Sequence, residues 1–122
     1  MLFDKKKNKQ TGNLGEDLTA KYLEVKGYKI LDRNVNLDFG EIDILAEYNR
    51  AIVIVEVKTV RGSGFGPAQD LVRFAKQNKL RLLARAMSQK YPDKTIRIDV
   101  VGVDLSDSEP KFEHIESAVE DR

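Results

Sequence analysis

The chain has 122 residues, 41% hydrophobic and 34% charged, with 21 Lys and Arg against 20 Asp and Glu for a net charge of +1. That fits one domain with a modest core and excludes a chain too polar to fold. Cysteine is absent, which excludes a disulfide framework, a thiolate metal site and a catalytic thiol.

Residues 1–12 are polar and lysine-rich and read as a flexible basic arm, leaving 13–122 as the domain. The arm has no hydrophobic stretch behind it, which argues against a secretory signal. No apolar run approaches the roughly 20 residues that span a bilayer, so the expected location is the cytoplasm. A helix is expected from Asn13, with Glu16 completing a capping box. Leu14, Leu18, Tyr22 and Val25 recur at helical spacing, and Gly27 is the stop. Tyr28 to Asn34 is a short strand. Glu41–Tyr48 and Ala51–Val60 are rich in Ile and Val and separated only by Asn49-Arg50, which predicts a hairpin. A glycine-rich loop, 61–66, leads to Pro67 and one long helix reaching about Tyr91. Thr95–Leu105 and Lys111–Ile115 are the last two strands. The order αβββαββ predicts an α/β or α+β fold, a mixed sheet flanked by helices.

The hairpin is where chemistry concentrates. A two-residue turn at Asn49-Arg50 fixes the register, so Asp43 falls opposite Glu56 and Glu41 opposite Lys58. Alternation then puts Asp43, Glu56 and Lys58 on one sheet face. Opposed residues have Cβ atoms about 5 Å apart, and like charges there repel. Either one carboxyl is protonated or a cation sits between them. Oxygen ligands alone suit Mg²⁺ or Mn²⁺, beside which Lys58 would position water or stabilise charge developing on a phosphate. The bland alternative is a Glu41–Lys58 ion pair with Asp43 facing water.

At these residues the sequence resembles the PD-(D/E)xK nuclease superfamily, of restriction-endonuclease-like fold. Asp43 matches its first acidic ligand, and Glu56-x-Lys58 its second ligand and lysine. More closely, the chain resembles the YraN-like family of bacterial proteins, similar in turn to Holliday-junction resolvases. The matching stretches are Gly12-x-x-Gly15-Glu16-x-x-x-Ala20, Arg33-Asn34, Gly40-Glu41-Ile42-Asp43, Val55-Glu56-Val57-Lys58-Thr59, Phe65-Gly66 and Lys76-Gln77. It departs at Val35, Asn36 and Val60 and over 114–119, which bears on substrate contacts more than on the acids. The resemblance implies metal-dependent cleavage of DNA, branched DNA included. It also implies that Glu16, on the first helix, joins Asp43 and Glu56 at the metal.

The long helix carries Arg73, Lys76, Lys79, Arg81 and Arg85 with only Asp70 opposing them. Arg73, Lys76 and Lys79, with Arg61 before the helix, are the expected phosphate contacts, holding the backbone without reading bases, and the resemblance implies that Lys76 and Gln77 lie near the active site. A solvated amphipathic face is the alternative. His114 reads as packed or surface and not as a ligand. Together these residues predict a nucleic-acid-binding domain of nuclease fold that hydrolyses phosphodiesters with Mg²⁺ or Mn²⁺. DNA is the expected partner, no membrane is expected, and a homodimer is left open. The rivals are a binding module with a vestigial metal site, and an interaction domain using the acidic segment beyond Ile98.

Overall fold

The first helix begins well before its expected cap. The computed structural model describes residues 5–62, 64–76 and 80–119, the side chains of 5–12 excepted, and α1 spans Lys5–Val25. Lysine and glutamine are good helix formers, so the helix runs through part of the expected basic arm and Asn13 sits inside it. The capping box with Glu16 therefore does not form. The buried stripe also differs from the expected one: Thr19, Ala20 and Leu23 are buried, while Leu14 and Val25 are exposed. Gly15 lies on the buried stripe because a Cβ there would overlap Thr59 Oγ1 across the interface. Gly27, at φ 97°, stops the helix as expected.

The strands are β1 (Lys29–Leu37), β2 (Gly40–Tyr48), β3 (Ala51–Val60), β4 (Thr95–Asp104) and β5 (Lys111–Ile115). They form one sheet in the order β1-β2-β3-β4-β5. Only the β3–β4 pair is parallel, its crossover carrying α2 (Ala68–Lys76) and α3 (Leu80–Lys90). The single long helix expected over this stretch is thus seen as two segments, and residues 77–79 lie outside the described ones. The α+β class is as expected, and the arrangement is consistent with the restriction-endonuclease-like architecture.

Two apolar cores sit on the sheet's opposite faces. On one, α1 packs Ala20 and Leu23 against Ile44, Ala46, Val53, Val55, Val101 and Val103. On the other, Leu71, Ala75, Leu80, Leu83 and Met87 of α2 and α3 cover Ile42, Leu45, Ile52, Ile54, Ile98 and Val100. β3 and β4 are covered on both faces, which is why Ile52–Val55 reads as an unbroken apolar run.

A buried ionic knot pins the chain's end to β4. The Asp99 carboxylate, with no exposure, accepts hydrogen bonds from Arg97 Nε at 2.9 Å, His114 Nε2 at 2.8 Å and the Ser117 N–H at 3.0 Å. Burial pushes this carboxyl up, but the hydrogen bonds from His114, Arg97 and Ser117 outweigh it and hold Asp99 below its ordinary range. His114 is packed, as expected, its side chain 2% exposed. Among the described residues no helix is long and apolar enough to cross a membrane.

Candidate functional site

Asn49 and Arg50, at φ 48° and 65°, make the two-residue turn between β2 and β3. The register follows from it: Tyr48 pairs with Ala51, Leu45 with Ile54 and Ile44 with Val55. There the ladder stops, although both strands continue. β2 stays with β1 down to the Gly40–Leu37 pair, and β3 stays with β4 up to the Val60–Asp104 pair. The sheet forks, and Asp43 and Glu56 are the next residues on either branch.

The fork places the acids. Val57 no longer has β2 as a ladder partner, and its N–H donates instead to Asp43 Oδ2 at 2.9 Å. Ile42 and Ile44 pack into opposite cores, so strict alternation breaks at Asp43. The expectation of one shared face therefore holds for Glu56 and Lys58 but not for Asp43, which reaches Glu56 across the opening. The two carboxyls stand close enough for the charge of one to act on the other. Both are pushed above the ordinary carboxylate range, by burial first; the charge of Asp43 then adds to Glu56 and that of Glu41 to Asp43.

Glu16 arrives from the other side. Its side chain is 15% exposed and stands on the stripe of Ala20 and Leu23, facing the sheet as expected. Burial pushes it up to about 7, the charge of Asp43 reinforces this, and Arg33 pulls the other way. Arg33 pairs with Asp17 at 2.7 Å and lies 4.0 Å from Glu16. With the Asn34 amide assigned so that its nitrogen faces the acids, it donates to Glu41 Oε1 and Glu16 Oε1, each at 2.9 Å. Asn34 adopts φ 52° within β1, a left-handed conformation that asparagine tolerates better than most residues.

Arg33 and Asn34 are the site residues that sequence reasoning gave no role. The Arg33-Asn34 pair stood among the matched stretches, and an asparagine breaking a strand pattern was the local signal.

Lys58 does not pair with Glu41, since the ladder ends three residues before that pair would form; its partner is Gly102 on β4. Its Nζ stands 5.2 Å from the centroid of the Phe74 ring on α2. The bland Glu41–Lys58 ion pair is thereby excluded. Arg73 shares a cleft with Lys58, Phe65, Asp70 and Phe74, and is exposed beside Asp70 at 3.7 Å. Lys76 lines a different hollow, with Leu80, Arg81, Leu82 and Val119. Arg61 is exposed at the end of β3. Gln77 and Lys79 lie outside the described residues.

The donor set fits a hard divalent cation. Asp43, Glu56 and Glu16 offer oxygen only, and burial first, then the charge of neighbouring acids, raises the proton affinity of each. Among the described residues, no three acidic or histidine side chains converge at ligating distance.

Comparison with other proteins assigns the family. The pattern described as "Uncharacterised protein family UPF0102" matches residues 15–103, most of the chain. The chain belongs to this family. A UPF0102 protein of Alkaliphilus oremlandii is 40% identical over 119 residues, covering 91% of this chain and 98% of its own. One of Rhodococcus opacus is 40% identical over 116 residues, covering 91% and 97%. The YraN-like membership expected from the motifs is thereby borne out. Among solved structures, the chain is similar to "The structure of Pyrococcus Furiosus SfsA in complex with Ca2+", at a TM-score of 0.36 and 16% identity. That alignment covers 93% of this chain and 65% of the other, and so distant a likeness carries no argument here.

Proposed function

We propose that this member of the UPF0102 family is a cytoplasmic, metal-dependent nuclease acting on DNA. The observation that carries the reading is the pair of buried acids, Asp43 and Glu56, brought together where β2 and β3 part. Two carboxyls kept at raised proton affinity in a small domain cost stability, which points to use. Asp43, Glu56 and Glu16 would hold Mg²⁺ or Mn²⁺, and a cation bound there supplies Lewis-acid stabilisation of the phosphate.

The chain's own groups do the rest. Lys58, two residues along β3 from Glu56 and set against the Phe74 ring, orients the attacking water and offsets charge growing on the phosphoryl oxygens. In the hydrolysis, a water oxygen bonds to phosphorus and one ester P–O bond breaks. One proton leaves the water and the departing alkoxide gains one. Arg33 and Asn34 fix Glu16, while Arg73 and Lys76 bind flanking phosphates.

A second reading, binding without turnover, is favoured by one feature: among the described residues no three acidic or histidine side chains converge at ligating distance. Cleavage of labelled duplex, branched and single-stranded DNA, and of RNA, in Mg²⁺, Mn²⁺ or EDTA separates the two. The nuclease reading expects cut products with either metal and none in EDTA. Salt-sensitive binding with no cut products under any condition would replace it with the binding module.

A further inference from the structure

The cleft at Lys58 is built differently from a surface that only holds a DNA backbone. It is lined by Lys58, Phe65, Asp70, Arg73 and Phe74, with a volume of about 320 Å³, at the small end of ligand sites. Two aromatic rings, two cations and one carboxylate therefore surround a space that begins two residues along β3 from Glu56. We propose that this cleft receives a single unpaired nucleobase, so that the site acts beside a nucleotide that has left the helical stack.

The walls of the cleft are fixed. Phe65 lies on the backbone of β4 at Gly102, where a Cβ would come within 2.7 Å of its ring. The loop that carries Phe65 is tied down at several points. The Gly62 N–H donates to Ser106 Oγ, and both the N–H and hydroxyl of Ser106 donate to Asp104 Oδ1. The Leu105 N–H donates to the Val60 carbonyl at 2.9 Å, joining the two segments at their base. Phe74 is set by α2, whose Leu71 and Ala75 are buried, and it packs against the same core. A preformed cleft loses little entropy when it is filled.

The chemistry selects the occupant. In a duplex the base faces are covered by their neighbours, so aromatic side chains meet a base face only when the base is unstacked. Lys58 and Arg73 supply positive charge for the phosphates on either side. Asp70, 43% exposed, offers an acceptor to exocyclic amino groups on the base edge.

This inference rests on the nuclease reading of Glu56 and Lys58, and the test separates the two. Two otherwise identical duplexes each carry a one-nucleotide bulge, one with its base and one abasic, so that the backbone phosphates match. Binding of the unaltered protein is measured by fluorescence anisotropy in EDTA at fixed salt. The intact bulge is expected to bind on the order of tenfold more tightly than the abasic one. Phe65→Leu, checked by thermal melting, is expected to erase that difference while leaving affinity for the abasic duplex unchanged.

Equal affinity for both duplexes overturns the base cleft; if metal-dependent cleavage persists, the nuclease reading stands without it. A preference that survives in folded Phe65→Leu also overturns it. Absence of binding to either duplex, with no cleavage in metal, overturns both.

Discussion

Glu16, Asp43 and Glu56 concentrate negative charge in a chain that is otherwise close to neutral, and that charge is the residue-scale signature of the site. An acid whose proton affinity is higher folded than unfolded stabilises the fold while protonated. Its contribution is complete below the ordinary carboxylate value and is lost as pH rises through the folded value, near 7 for Glu16. In EDTA the melting temperature should therefore fall between about pH 5 and pH 8. Saturating Mg²⁺ or Mn²⁺ should flatten that fall, because a bound cation takes the proton's place and stabilises by mass action. Melting curves with the same pH slope with and without metal would remove the cation from the account.

Lys58 gives the second residue-scale prediction. Its described contact is with Phe74, and an exposed cation–π contact is worth about 0.5–1 kcal/mol, so Lys58→Ala should melt nearly as the wild type does. Losing a charge that acts on the phosphoryl group should slow cleavage by on the order of a hundredfold or more. Cleavage at the wild-type rate would reduce Lys58 to a wall of the cleft.

At the scale of elements, the hairpin was the most legible part of the sequence. Two apolar runs with two residues between them leave one register, and Asp43 and Glu56 are the residues just past its last pair. The fork was not legible: β2 follows β1 and β3 follows β4 beyond Ile44 and Val55, and pairing with outer strands leaves no local pattern. The start of α1 was misread because Asn13 and Glu16 imitate a capping box, while lysines upstream carry the helix on. The partner of Lys58 was misread for the same reason as the fork. Asn34 and Arg33 were visible only as a matched pair with no stated role.

The seat of α1 yields the prediction at this scale. Ala normally strengthens a helix over Gly by up to about 1 kcal/mol. At Gly15 the added methyl would meet Thr59 and force α1 away from β3, which costs about 1–3 kcal/mol. Gly15→Ala should therefore lower stability in urea unfolding and carry Glu16 away from Asp43, weakening Mn²⁺ binding as well. A more stable Gly15→Ala protein would mean that α1 does not bear on the sheet as described.

For the molecule as a whole, the acid-rich end is less available than its sequence implies. Asp99 is locked by Arg97 and His114, Asp104 by Ser106, and Asp107 pairs with Lys111 at 3.0 Å. These three acids are engaged within the domain, while Glu109 and Glu113 are exposed. The remaining architecture serves the fork: two cores clamp the sheet on both faces, and α1, β2 and β3 each deliver one acid to the same opening. The central claim is that this opening turns over nucleic acid with a metal. The most direct measurement is the Mn²⁺-dependent cleavage rate of wild-type and Asp43→Asn protein on the best-cut DNA of the panel. The account predicts robust cleavage by the wild type, suppressed by EDTA, and at least a hundredfold loss in Asp43→Asn with its fold intact. Equal rates for the two proteins, or no cleavage by the wild type with either metal, would contradict it.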